Sequence, residues 1–173
     1  MPTCNSPNRR APARRAPDRP RTTFIGGGTP SWLTIAQLTR LLDTLHEQTG
    51  FRDATAEVTI ECNPESLDAE KARALVELGA TRLSIGFQSL RPETLKLFGL
   101  VHRAEESFEA YEAARAAGPR GVSIDLIFGA AGQTPREWAE DLDRVLDLAP
   151  DHLSCYALTF EEEIGRASCR ERV

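Results

Sequence analysis

Phe24-Ile25-Gly26-Gly27-Gly28-Thr29-Pro30-Ser31 is the stretch on which the fold turns: an apolar strand end runs into three glycines, with a helix signal close behind. Residues without a Cβ let the backbone turn sharply and let a ligand lie directly against peptide groups. Thr29 adds a hydroxyl, and Pro30 fixes the exit of the turn. A lone glycine triplet has a plainer reading, a tight strand-to-helix loop with no ligand. The loop gains weight from later strands, which end in polar residues able to serve the same place.

Outward from this loop the chain repeats strand then helix. Thr22–Ile25 reads as the first strand. Thr34 and Gln37 then form a capping box, and Ile35, Leu38, Leu41, Leu42 and Leu45 follow at helical spacing. Glu57–Cys62 is a second strand, stopped by Asn63-Pro64. A helix from about Asp68 turns Ala72, Leu75 and Val76 inward and stops at Gly79. Arg82–Gln88 is a third strand, with Leu83, Ile85 and Phe87 on one side and Ser84, Gly86 and Gln88 on the other. A short helix from Pro92 and a longer one through Phe108 and Tyr111 to Ala117 precede Gly118. Gly121–Phe128 is a fourth strand. A second capping box, Thr134 with Glu137, opens a helix whose inner face is Trp138, Leu142, Val145 and Leu146. His152–Ala157 is a fifth strand.

Such alternation predicts an α/β fold of about five parallel βα units with right-handed crossovers. Ligands in these folds gather at the carboxyl ends of the strands. Here those ends carry Gly26–Thr29, Glu61 with Asn63, Gln88, and Asp125. Each has its own plain explanation: a surface carboxylate, a loop cap, the partner of an arginine. Four successive strands ending alike favour one shared pocket. The polar or small inner sides of the third and fourth strands suit a barrel lumen better than a sheet covered on both faces.

Composition narrows the function. The 173 residues carry a net charge of −5, but residues 22–163 hold 12 Lys/Arg against 24 Asp/Glu. An acidic body argues against a nucleic-acid-binding face. Residues 1–21 carry six arginines, five prolines and, past Met1, no large apolar residue, so this segment is expected to be disordered. No apolar run reaches the roughly 20 residues of a membrane span. No secretory h-region is present, which predicts a cytoplasmic chain. Cys4, Cys62, Cys155 and Cys169 are dispersed with no CxxC or CxxxC spacing, and Cys62 and Cys155 read as buried, inert thiols. His46, His102 and His152 are equally scattered, so spacing assigns no metal site.

FIGGGTPS (24–31), TIECNPES (59–66), GATRLSIGFQSL (79–90), SIDLIFGAAGQT (123–134) and HLSCYALTFEE (152–162) occur in this order. Together they resemble the radical S-adenosylmethionine (SAM) proteins related to oxygen-independent coproporphyrinogen III oxidase, and more closely their haem-chaperone branch. The resemblance covers about residues 22–162. It implies a partial (β/α) barrel of the radical SAM type, supplying barrel strands two to six, between a disordered segment 1–21 and an unrelated or disordered tail 163–173. It implies SAM and a [4Fe–4S] cluster as cofactors, and porphyrin or haem as partner. By the same resemblance Gly27, Gly28 and Thr29 would face the methionine end of SAM, and Glu61 its amino or ribose group. Gln88 and Asp125 would hold a second SAM, and Tyr156 and Thr159 would line the substrate side. The parent would either carry haem to client proteins or oxidatively decarboxylate porphyrinogen propionates. A third reading is a fragment with no activity of its own, prone to self-association through exposed strand edges.

Three departures accompany the match. The family's CxxxCxxC loop, whose thiolates hold three irons of the cluster, is replaced by the Arg/Pro-rich segment. Leu100 stands where the family usually has an arginine that could pair with a SAM carboxylate. Ala130-Ala131 replaces a Leu-Pro before Gly132-Gln133-Thr134, removing a φ constraint from the loop after Asp125.

Overall fold

The computed structural model describes residues 20–53 and 57–159. The expectations for residues 1–19 and 160–173, including the end of the last motif, lie outside the described residues, as do Cys4 and Cys169. Five strands alternate with helices: β1 (Thr23–Ile25), α1 (Ile35–Thr49), β2 (Val58–Cys62), α2 (Ala69–Glu77), β3 (Arg82–Gln88), α3 (Pro92–Leu97), α4 (Ala104–Ala117), β4 (Gly121–Phe128), α5 (Pro135–Leu146) and β5 (His152–Ala157). All neighbouring strands are parallel, in the order β1-β2-β3-β4-β5. They form a half-barrel with its helices on one side.

Local chemistry sets the helix boundaries. The Thr34 side chain accepts from the Gln37 amide at 3.3 Å while Gln37 Oε1 accepts from the Thr34 amide at 2.9 Å, closing the capping box of α1. Gly50 ends that helix at φ 66°, a left-handed conformation that glycine adopts without a Cβ penalty. At α5 the same reciprocal pair joins Thr134 and Glu137, with Pro135 opening the helix.

Strand register divides the sheet into a dry face and a wet one. Cys62, Ile85, Ile124 and Leu153 stand side by side, as do Ile60, Leu83 and Val122 in the row below. These residues meet the helices, and Ile60, Leu83, Ile85, Val122 and Ile124 are sealed from solvent. Each such burial is worth about 1.5–3 kcal/mol. The opposite face carries two polar layers in register: Glu61, Ser84, Ser123 and His152, then Gly86, Asp125 and Ser154 one step toward the carboxyl ends. This is the polar lumen expected from the alternation in β3 and β4.

Three burial expectations are corrected. Leu41 and Leu146 are exposed, at 37% and 52%, because each lies at the margin of its helix's apolar stripe rather than over the sheet. Cys155 is exposed where a buried thiol was expected. It stands toward the carboxyl end of β5, the edge strand of the described sheet.

Candidate functional site

The glycine loop and β2 meet at Glu61. Gly27 N–H donates to Glu61 Oε2 at 3.2 Å. A Cβ at Gly26 would lie 2.6 Å from the Glu61 carboxyl carbon and 2.6 Å from the Phe24 ring, so a side chain there would displace the Glu61 carboxylate from its place beside the loop. Gly27 and Gly28 adopt φ of 83° and 84°, with open space where a Cβ would stand. The loop is therefore a bare peptide cradle beside a carboxylate. Its far side is locked. The buried Ser31 hydroxyl lies 2.6 Å from that of Ser66 and accepts from the Asn63 amide, while Lys71 Nζ donates to the Ser31 carbonyl at 2.6 Å.

Asp125 stands one layer nearer the carboxyl ends than Glu61. The Ser84 hydroxyl donates to its carboxylate at 3.0 and 3.2 Å, and Ser154 supplies a further side-chain hydrogen bond. Arg82, two layers below Asp125, donates to Thr59 at 3.0 Å and pairs with Glu57 at 3.1 Å, placing a cation at the foot of the lumen. Burial pushes the Asp125 carboxyl upward, against the hydrogen bonds of Ser154 and Ser84 and the charges of His152 and Arg82. Burial likewise raises Glu61, opposed by the Gly27 amide and reinforced by the negative charge of Asp125. The two carboxylates thus share one field.

Gln88 ends β3 in an unusual backbone. Its φ is 63°, and the Ser89 amide donates to the Phe87 carbonyl at 2.7 Å across it, closing a three-residue γ-turn of the strained, positive-φ kind. A non-glycine residue held there costs about 1–3 kcal/mol. The β3–β4 register shifts at this point. The carboxamide folds back over Gly86, whose absent Cβ would lie 2.6 Å from Gln88 Nε2.

The structure brings Gly27, Glu61 and Asp125 into one electrostatic unit and sets Gln88 over Gly86, the register partner of Asp125. Thr29 precedes the short Pro30–Trp32 turn, makes no side-chain capping bond and contributes its carbonyl to the Trp32 amide. Leu100 closes the turn after α3, its amide donating to the Leu95 carbonyl. The loop after β4 is tied despite its Ala130-Ala131, because Gln133 Oε1 accepts from Gly129 N–H at 2.8 Å. Sequence reading identified the polar side of β3 but not Ser84 and Ser154 as partners of Asp125. Their shared register with it was the available signal.

A raised carboxyl has a sign for stability. Asp125 and Glu61 contribute stability that is complete below their unfolded values, 3.8 and 4.5, and lost as pH rises through their higher folded values. Asp125→Asn removes that loss and keeps one acceptor oxygen for the serines. Its melting temperature is expected to exceed that of the parent at pH 8, with the difference vanishing near pH 3.5. A thermal melt series across that range reads it, and an equal gain at every pH defeats the argument.

A half-barrel of parallel βα units with a glycine cradle and an acidic lumen at the strand ends is the architecture of a radical SAM domain. The sequence matches the Radical SAM superfamily over residues 8–145, and the chain belongs to that family. It is 38% identical over 141 residues to the heme chaperone HemW of Bacillus subtilis, covering 82% of this chain and 37% of that protein. It is also 38% identical to the heme chaperone HemW of Escherichia coli, with the same coverage. The structure superposes on the coproporphyrinogen III oxidase HemN of Escherichia coli with a TM-score of 0.77 and 33% identity, over 88% of this chain and 35% of that one. The chain thus spans little more than a third of the length of these relatives.

SAM and a [4Fe–4S] cluster are the cofactors of this family. The residues present suit a cationic ligand such as SAM: the bare Gly27-Gly28 peptides admit close approach, and the Glu61 and Asp125 carboxyls bring negative charge to the lumen. They do not fit the cluster. Among the described residues no group of three His, Cys, Asp or Glu side chains could hold a metal ion. The two described thiols stand on β2 and β5, separated by two strands. No helix among the described residues is long and apolar enough to cross a membrane.

Proposed function

We propose that this chain is the SAM-binding half-barrel of a haem-chaperone-type radical SAM protein acting in porphyrin or haem metabolism. The observation that carries it is the pairing of the Gly27–Glu61 cradle with Asp125 in one acidic lumen, on a chain 38% identical to two haem chaperones. When bound with a cluster, SAM supplies a strongly oxidising organic group in this family. This chain's residues have a quieter part. Gly27 and Gly28 give it backbone contact, Thr29 adds a hydroxyl, and Glu61 accepts from its amino or ribose group. Gln88 and Asp125 hold a second SAM, and the helices keep water from the outer side.

The alternative is an oxygen-independent coproporphyrinogen III dehydrogenase, favoured by the superposition on HemN. The full-length parent, with its cluster assembled, separates the two. Stable haem binding without consumption of coproporphyrinogen III supports the chaperone. Loss of carbon dioxide from the propionates supports the dehydrogenase.

The described sheet leaves one edge of β1 and one of β5 unpaired, and such edges template further strands. We propose that the 173-residue chain self-associates through them in the cytoplasm. Light scattering that finds only a monodisperse monomer overturns this.

A further inference from the structure

The strained turn at Gln88 is gripped from two sides by groups that reach no lumen residue. On one side stands Asp141 of α5, a carboxylate only 2% exposed. Its Oδ2 accepts from the Ser89 hydroxyl at 2.9 Å and the Leu90 amide at 3.2 Å, while Arg91 Nε lies 3.4 Å from Oδ1. The Ser89 hydroxyl in turn accepts from the Arg91 amide at 3.1 Å, and Arg91 reaches on to Glu140 at 2.6 Å. On the other side stands His102, 3% exposed, whose Nε2 lies 3.2 Å from the Phe87 carbonyl. A carbonyl only accepts, so that nitrogen carries the proton, and Nδ1 is left buried without a partner. Three successive residues after Gln88 and the carbonyl before it are thus all held from outside the strand.

Buried charges and unfavourable dihedrals persist where the surroundings over-determine them. We propose that Asp141 and Ser89 are positioning residues, which with His102 hold the Phe87–Ser89 turn so that the Gln88 carboxamide stands over Gly86 beside Asp125. This rests on the reading of Gln88 as a SAM-facing residue. It adds that the aim of this group is set from α5, one βα unit away in sequence and outside the lumen. Arg91, shared among Asp141, Glu137 and Glu140, fixes α5 against the turn.

The test is an NMR titration of the 173-residue chain with SAM. The variants are Ser89→Ala, Asp141→Asn, Gln88→Ala, and each of the first two combined with Gln88→Ala. Losing one hydrogen bond corresponds to about a two- to tenfold change. Ser89→Ala and Asp141→Asn are each expected to weaken binding within that range. Gln88→Ala is expected to weaken it at least as much, and the double variants no further than Gln88→Ala alone. A residue that merely supports the fold would lower the melting temperature, and its effect on affinity would multiply with that of Gln88→Ala. Such multiplication overturns the inference. So does normal affinity in Ser89→Ala and Asp141→Asn while Gln88→Ala is weak, which leaves the site reading intact. Unchanged affinity in Gln88→Ala overturns the placement of Gln88 in the site, and the inference falls with it. Ser89→Ala removes only a hydroxyl, so the test stands even if Asp141→Asn does not fold.

Discussion

Anaerobic reconstitution of this chain with iron and sulfide is expected to give no stoichiometric [4Fe–4S] cluster by absorbance or EPR. Cluster irons are held by thiolates. Cys62 is sealed at the end of β2, where burial pushes its thiol up to about 12, against a neighbouring lysine. Cys155 is accessible, but partial burial and the charge of Asp125 also raise it. Three inter-strand steps of about 4.8 Å separate their strands, and both thiols belong to the outer rows of the sheet. Cys4 and Cys169 lie near opposite ends of the sequence, and none of the four stands in a CxxxCxxC pattern. Iron near four per chain, lost on Cys62→Ser or Cys155→Ser, would overturn this view of the site.

SAM itself is expected to bind weakly, to depend on Glu61 and to gain from a cation at residue 100. The cradle and both lumen carboxylates are in place, but no ligand set for a cluster iron that would hold SAM stands among the described residues. A charge-assisted hydrogen bond is worth roughly 1.5–3 kcal/mol, or about tenfold to over a hundredfold in affinity. Glu61→Ala should lose that much, and its amide partner Gly27 would be left to solvent. Leu100→Arg should gain a comparable factor by pairing with the SAM carboxylate. Neither variant should lead to cleavage of SAM under reducing conditions. Calorimetry on the parent and both variants gives the answer. Tight binding indifferent to both changes would place the site elsewhere.

The order of strands and helices could be read from the sequence because its signals are local. The Thr34–Gln37 and Thr134–Glu137 boxes, Gly50 and Gly118 each act within four residues of the boundary they set. The polar lumen was legible for the same reason, as an alternation within β3 and β4. What escaped depends on distant partners. Asp141 lies among Glu140 and Asp143 and reads as part of a solvated face, yet it is buried because Ser89, Leu90 and Arg91 come to it from another unit. Nothing in Phe87-Gln88-Ser89 announces a positive φ, since glutamine and serine favour no such backbone. Cys155 was misjudged from its apolar neighbours, because exposure depends on what packs over β5 rather than on the strand itself.

The sheet has one further property: strands adjacent in sequence are adjacent in space, without exception from β1 to β5. Each βα unit, once emerged from the ribosome, already has its docking partner exposed and waiting. The chain can therefore grow its barrel vectorially, one layer at a time, with no early segment idling for a late one. Loop closure between paired strands never spans more than a single unit, which limits the entropy cost of each pairing step. Damage confined to one end is felt first by the nearest unit: the Gly27–Glu61 pair joins the first unit to the second, while the Ser84–Asp125 pair spans the two inner strands β3 and β4.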